Sequence, residues 1–433
     1  MGPEETRLYL TPHGQHDVEE TEPKTKSKTK SKTESKTEEK QQVITSPTEP
    51  AEIATLPKNI DLFTPLHDVN SKGKPLSTIE NLREITRRLG VVIRYNVIKK
   101  GEEILIPGKS FTVDNAANAS LAWLMSWCAR FQMPIGQIGD YITYLSDENA
   151  YNPVGTWIES KPWDGVTRWG DFMATVTAND EAMKNILIHR WMISAVAAAV
   201  EPNGVSAHGV LVFQGEQYLG KTKWFKTLVP ASLGVIQDGV ILDTKDRDSI
   251  KQAVSNWLVE LGEVDATFRK SDVAQLKAFI TKDRDILRRA YARRESEFAR
   301  KTVFFASVNP QFYLNDPTGN RRFWTVECTA LNHSHGLDMQ QVWAEFLHLY
   351  RTGESFYLTP DEFSALNELN ENFTSIDPIQ EKIERLYDWG APDLMWRDMT
   401  ATEALIAVGF PSHDPCDSVV AFFVNHIHRS RTF

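Results

Sequence analysis

The chain has 433 residues, with 48 Lys and Arg against 58 Asp and Glu and a formal net charge of −10. That length accommodates two or three domains with cores of their own, and the acidic balance excludes uniform coating of nucleic acid, so DNA contact must come from locally basic segments. Cys128, Cys328 and Cys416 have no disulfide or metal spacing, the N-terminus lacks a signal-peptide core, and runs such as Met192 to Val200 are too short to span a bilayer, which predicts a soluble protein of a reducing cytoplasm with no membrane partner.

Residues 1–57 contain PKTKSKTKSKTESKTEEK and too few apolar side chains to offset ordering entropy, so they read as a solvated, disordered tail. Residues 58–151 read as a small α+β domain. A helix over Ser77 to Leu89 starts at a Ser77 or Thr78 cap, strands VVIRYNV and EILIP flank a Lys100-Gly101 turn, and two helices follow in SLAWLMSWCARF and QIGDYITYLSDEN. No carboxylate pair there has the spacing of a primase or nuclease metal site.

Residues 152–204 read as a linker and helical lead-in. They comprise the Pro- and Gly-punctuated NPVGTWIESKPWDGVTRW, a helix over Trp169 to Val176, and a helix over Glu181 to Val200 capped by Asn179. Residues 205–330 carry the chemistry. GVLVFQ, Gly209 to Gln214, suits a buried strand, and GEQYLGKT follows it: Gly215, Glu216, Gln217, Tyr218, Leu219, Gly220, Lys221 and Thr222, with Lys223 opening a helical KWFKTLV. Two glycines five apart before Lys-Thr match a phosphate-binding loop, in which backbone N–H groups face phosphate oxygens at a helix N-terminus. Lys221 would reach the β- and γ-phosphates, and Thr222 would sit on Mg²⁺. Alternation of helix and strand around this loop predicts an α/β domain with a mainly parallel sheet.

A second strand, Asn256 to Leu261, carries Glu260 and is followed by Glu263. An acid at a strand end can meet the metal held by Thr222. Glu260 is assigned the metal side and Glu263 the attacking water, with exchange of the two roles left open. Asp243, Asp246 and Asp248 read as loop and cap residues.

Between Asp265 and Lys301 cations outnumber acids, with Lys277, Lys282, Arg284, Arg288, Arg289, Arg293 and Arg294 around Tyr291. A ring among guanidinium groups suits a DNA-contacting segment, the alternative being a solvated helix face. A third strand, Thr302 to Val308, ends at Asn309, placed to hold the attacking water or the γ-phosphate. DPTGNRRFW then presents Arg321 and Arg322, either as charge donors across a subunit boundary or as partners of local acids.

Residues 331–433 read as a helical C-terminal region, with helices over Gln340 to Tyr350, Pro360 to Asn372 and Asp377 to Trp389, and a pair in MTATEALIAVGF and DSVVAFFVNHIH. The histidines there, His333, His335, His413, His426 and His428, lack a metal-ligand pattern, so Mg²⁺ with nucleotide is the only metal expected.

Taken together, the phosphate loop, WLVELGEVD, QLKAFITKDRDILRRAYARR, FFASVNP, DPTGNRRFW and NPVGTWIESKPWDGVTRW resemble the virulence-associated protein E family, which is similar to superfamily 3 helicases of phages and mobile elements. The resemblance spans roughly Tyr95 to Val326. It implies an AAA+-like P-loop ATPase, a homo-hexameric ring that moves on or opens single-stranded or forked DNA in the bacterial host cytoplasm. It also implies ATP as the nucleotide at Lys221 and Thr222, Glu260 and Glu263 as the acidic motif, Asn309 as sensor, and Arg321 or Arg322 as the finger acting on the neighbour. Many larger relatives carry a primase-polymerase domain before this core, where this chain has the tail and the small α+β domain, so no primer synthesis is expected and a separate primase or polymerase is the expected partner. The Glu-Leu-Gly-Glu spacing departs from the adjacent acids of the family.

Overall fold

The computed structural model describes residues 60–262, 270–287, 295–314 and 320–374, together with Ile406 and Gly409. The N-terminal tail, Glu263, the Arg288 to Arg294 run, and all but these two residues of the segment beyond 374 lie outside the described residues.

The small α+β domain has the predicted parts. Helix α1 (Ile79–Leu89) begins at Thr78, whose side chain accepts from the Asn81 N–H, and ends on a left-handed Gly90. Strands β1 (Val92–Asn96) and β2 (Gly101–Leu105) pair antiparallel, helices α2 (Ala116–Arg130) and α3 (Ile138–Glu148) follow, and β3 (Ala150–Tyr151) adds parallel to β1. Leu82, Ile85, Leu89, Leu124, Cys128, Ile138 and Ile142 form its core. Burial pushes the Cys128 thiol up to about 12, so it behaves as a small apolar side chain.

The larger body begins with α4 (Pro153–Ile158), α5 (Trp169–Met173), β4 (Val176–Ala178) and α6 (Glu181–Val200). It continues through β5 (Val210–Gln214), α7 (Lys221–Lys226), β6 (Ile236–Val240), α8 (Arg247–Val254) and β7 (Leu258–Leu261). Then come α9 (Lys270–Ile280), the antiparallel hairpin of β8 (Arg284–Leu287) and β9 (Ser296–Ala299), β10 (Val303–Val308), β11 (Phe323–Leu331), α10 (Met339–Arg351) and α11 (Pro360–Glu371). Six strands form one sheet in the order β4-β11-β5-β10-β7-β6, parallel throughout except for β4, which pairs antiparallel with the end of β11.

Strand alternation sorts the side chains onto two cores. One face of the sheet buries Leu211, Phe213, Leu258, Phe305 and Trp324 with α6, α7 and α10, and the other buries Val210, Val212, Val259, Phe304 and Ala306 with α9. Four fully buried tryptophans lock the first core, and each indole N–H has an acceptor. Trp191 donates to Phe304 O at 2.8 Å, Trp224 to Thr175 Oγ1 at 2.8 Å, Trp257 to Ala195 O at 2.8 Å and Trp343 to Leu228 O at 2.7 Å.

Several expectations change. The helix predicted over Trp169 to Val176 stops at Met173, because the β-branched Val176 to Ala178 segment covers the open edge of β11. The cap of α6 is Asp180, accepting from the Met183 N–H, in place of Asn179. The acid-bearing strand begins at Leu258 instead of Asn256, whose side chain turns to accept from Lys99. The supposed linker is core: α6 is apolar nearly all round because it lies between the sheet and α10. The turn after α4 is clamped by α10, where Glu345 accepts from the Thr167 hydroxyl and the Arg168 N–H, and Gln341 accepts from the Asp164 N–H. Helices α10 and α11 belong to the same hydrophobic cluster, so the described part of the predicted C-terminal region is continuous with the sheet domain.

The small domain meets this body through its β1–β2 turn. Ile98 enters the large core, and Lys100, at a left-handed φ of 53°, reaches Ala299 O at 3.3 Å. Burial pushes the Lys100 ammonium down to about 8 from its ordinary 10.5, with Asp285, Arg300 and Lys301 around it.

Two measurements test this packing. A Cβ on Gly209 would overlap the Trp324 ring, so Gly209→Ala should cost about 1–3 kcal/mol of stability in denaturant melts. Above a pH of about 8 the unfolded chain holds the Lys100 proton that the folded chain has released, so this group's contribution to stability rises until about 10.5. The stability of Lys100→Met relative to the parent should therefore be highest near neutrality and fall by pH 9.5. A difference that is flat with pH would contradict it.

Candidate functional site

The six residues from Gly215 to Gly220 join the fully buried β5 to α7. Trp224 and Phe225 bury α7 against the sheet, Phe225 stacking on Phe305 at 3.9 Å and lying 4.6 Å from Phe213. Both ends of the loop are thereby fixed. Gly215 has φ 154°, and a Cβ there would come within 2.5 Å of Cys328 O. Gly220 has φ 88°, and its Cβ would lie 2.7 Å from the His333 ring. Tyr218, at the tip, holds a left-handed φ of 68° with its side chain 95% exposed.

The loop opens at a topological switch point. From β5 the chain runs toward β7 and β6, whereas from neighbouring β10 it runs to β11 on the other side. Crevices at the carboxyl ends of such parallel strands are the ligand sites of open α/β sheets. Here the crevice holds a cleft of about 400 Å³ whose walls include Lys221, Thr222, Glu260, Gly262, Ser307 and Asn309.

Register explains the convergence. Phe305 pairs with Leu211 on one side and Glu260 on the other, and Ser307 pairs with Phe213. Alternation then puts Glu260, Ser307 and Asn309 on the α7 face, stepped toward the strand ends. Lys221 Nζ donates to Gly215 O at 2.7 Å, Glu216 O at 2.7 Å and Asn309 Oδ1 at 2.9 Å. All three acceptors are formally neutral, and burial holds the ammonium below its ordinary value. No described carboxylate lies within ion-pair distance of Lys221. Glu260 is buried and spends one oxygen on Thr222, whose Oγ1 donates to Oε1 at 2.6 Å.

Among the sequence-assigned residues, Lys221, Thr222, Glu260 and Asn309 thus come together, and Tyr218, Leu219, Gly220 and Lys223 join them on the cleft walls. Glu263 lies outside the described residues. Ser307 was missed. A small polar residue two positions before Asn309 in an apolar strand was the available signal.

Arg321 and Arg322 lie elsewhere. They form a 3-10 turn at the start of β11, where Phe323 pairs with Val210, whereas the loop leaves β5 beyond the Gln214 pair. Five parallel residues separate these ends, about 16 Å at ~3.3 Å per residue. Arg322 Nε is buried with no hydrogen-bond partner among the described residues, Arg321 is exposed, and burial together with the two arginines lowers the nearby His208.

The basic segment divides. Lys277 is buried within α9, which argues against its assignment to DNA contact, and Arg300 is a buried partner of Asp285. Lys282 is exposed, and Arg284 pairs with Glu297 at 3.1 Å. The assigned Arg288, Arg289, Tyr291, Arg293 and Arg294 fall between β8 and β9 in sequence and lie outside the described residues.

Two loop substitutions should act in opposite directions. Gly215→Ala should lower stability by about 1–3 kcal/mol through its clash with Cys328 O, and Tyr218→Gly should leave stability equal or raise it by up to about 1 kcal/mol by relieving the left-handed backbone. Thermal melts of the two variants check the sign.

Among the described residues no helix is long and apolar enough to cross a membrane. No curated protein matches the chain. Two solved structures it resembles are apo forms of the NrS-1 C-terminal region. One is 16% identical with a TM-score of 0.33, covering 71% of this chain and 77% of that one. The other is 15% identical with a TM-score of 0.33, covering 80% and 90%. The model of the virulence-associated protein E-like domain matches residues 158–375, just over half of the 433. That span begins later than the sequence resemblance and reaches through α10 and α11, consistent with their share of the common core. The chain therefore belongs to the virulence-associated protein E-like family.

Proposed function

We propose that this protein is an AAA+-like P-loop ATPase, similar to superfamily 3 helicases, that works as a ring on single-stranded or forked DNA in the replication of a phage or mobile element. The observation carrying this reading is the meeting of Lys221, Thr222, Glu260 and Asn309 on one cleft at the switch point of the sheet. A cation whose partners are all neutral, on a loop feeding a helix, suits a polyphosphate. A hydroxyl and a carboxylate are hard oxygen donors, the set that suits Mg²⁺ when phosphate and water complete its shell.

In this reading Lys221 exchanges its bonds to Gly215 O and Glu216 O for phosphate oxygens. Thr222 and Glu260 would hold Mg²⁺, which would supply neutralisation of phosphate charge. Asn309, already within reach of Lys221, orients the attacking water or the γ-phosphate, and Glu263 is the candidate to polarise that water. Arg321 and Arg322 are too far along the sheet to serve their own cleft, so their catalytic role requires a neighbouring subunit's nucleotide. The Arg288 to Arg294 run is the proposed DNA contact, with primer synthesis left to a separate primase or polymerase.

The purified protein should hydrolyse ATP faster with single-stranded DNA, and Lys221→Ala should abolish turnover, a loss of at least about 100-fold. DNA-independent hydrolysis without strand separation in any oligomeric state would sink the motor, and slow turnover with stable sequence-selective duplex binding would indicate an ATP-switched initiator. Mixing Arg321→Ala or Arg322→Ala subunits with Lys221→Ala subunits should partly restore activity. No recovery would assign the arginines to local structure.

A further inference from the structure

We infer that Ser307 is a positioning residue for the divalent cation, its hydroxyl orienting the Thr222 hydroxyl so that one oxygen lone pair is left for the metal. This rests on the reading of the cleft as a nucleotide–Mg²⁺ site. Thr222 Oγ1 lies 2.6 Å from Glu260 Oε1 and 3.2 Å from Ser307 Oγ. A hydroxyl has one proton and two acceptor lone pairs. Thr222 donates that one proton to Glu260 Oε1, and this settles the direction of the longer contact: Ser307 donates and Thr222 accepts. With its proton and one lone pair committed, Thr222 has a single lone pair remaining.

The arrangement has the character of an outer-shell contact that fixes a metal ligand's orientation. Without Ser307, the Thr222 hydroxyl would be held at Glu260 alone and could rotate about that bond. Ser307 is also well supported. It sits near the end of a strand paired on both sides, with Phe305 before it stacked on Phe225 and Asn309 after it in contact with Lys221. One rigid strand therefore sets both the metal side and the γ-phosphate side of the cleft, and sites built on such elements hold their geometry better than sites on loops.

The test titrates Mg²⁺ against a fluorescent ATP analogue bound to the full-length protein, with Mn²⁺ electron paramagnetic resonance as a second readout of the metal. Ser307→Ala should raise the half-saturating Mg²⁺ concentration by about 3- to 10-fold, the range expected for one hydrogen bond. Nucleotide affinity in EDTA and at saturating Mg²⁺ should stay within about two-fold of the parent, and Ser307→Thr should restore the parental Mg²⁺ requirement. The Mn²⁺ spectrum of the nucleotide complex should broaden in the alanine variant only. An unchanged Mg²⁺ requirement in Ser307→Ala would overturn the inference, as would an equal loss of affinity with and without Mg²⁺, which marks a packing role. If the parent binds nucleotide and Lys221→Ala does not, such a result removes only Ser307. If the parent binds no nucleotide, the reading of the cleft falls and this inference with it.

Discussion

The stack of Phe225 on Phe305, with Trp224 buried beside it, is the contact on which the candidate site depends. It presses α7 onto the sheet one turn below the loop, so Lys221 and Thr222 leave the helix start at a set height above β10. A six-residue loop rich in unusual backbone angles costs free energy to order, and rigid attachments at both ends make that cost bearable. Cys328 O beneath Gly215 and the His333 ring beside Gly220 close the remaining room. The loop is shaped by its surroundings as much as by its glycines.

Charge is distributed unequally around this frame. Lys221 is buried among neutral acceptors, and Glu260 is buried with a neutral hydroxyl, so neither charge neutralises the other by direct pairing. A cleft wired in this way presents a separated cation and anion to whatever enters. That separation is what the proposed phosphate–metal pair would require. By contrast, the buried Arg300 guanidinium is paired with Asp285 and shielded by Phe279 at 4.4 Å, an arrangement that consolidates the base of the β8–β9 hairpin. Lys100 from the small domain faces the same pair, so the two domains meet at the root of the hairpin that leads to the basic Arg288 to Arg294 run.

A helix with a clear cap and a strand with a clear apolar run were legible from residue order alone: α1 with Thr78, and β5. Edges and partners were not. Val176 to Ala178 is too short to signal a strand, and it becomes one only because β11 offers it a free edge. Lys277 and Arg300 look like neighbours of the basic run in sequence, yet helix and strand geometry turn both inward.

The sequence by itself determined the phosphate-loop pattern, the apolar strands that end near Glu260 and Asn309, and the order in which they occur, because these depend on residue type and local periodicity. Which of those residues share a cleft was decided by the tertiary structure. Strand order brings β7 and β5 to either side of β10, and parallel register aligns Glu260 with Phe305 and Ser307 with Phe213. The same register sends Arg321 and Arg322 to the far end of the sheet and draws Ser307 onto Thr222. No local pattern encodes these distances, since they arise from hydrogen-bonded pairing between segments far apart in the chain.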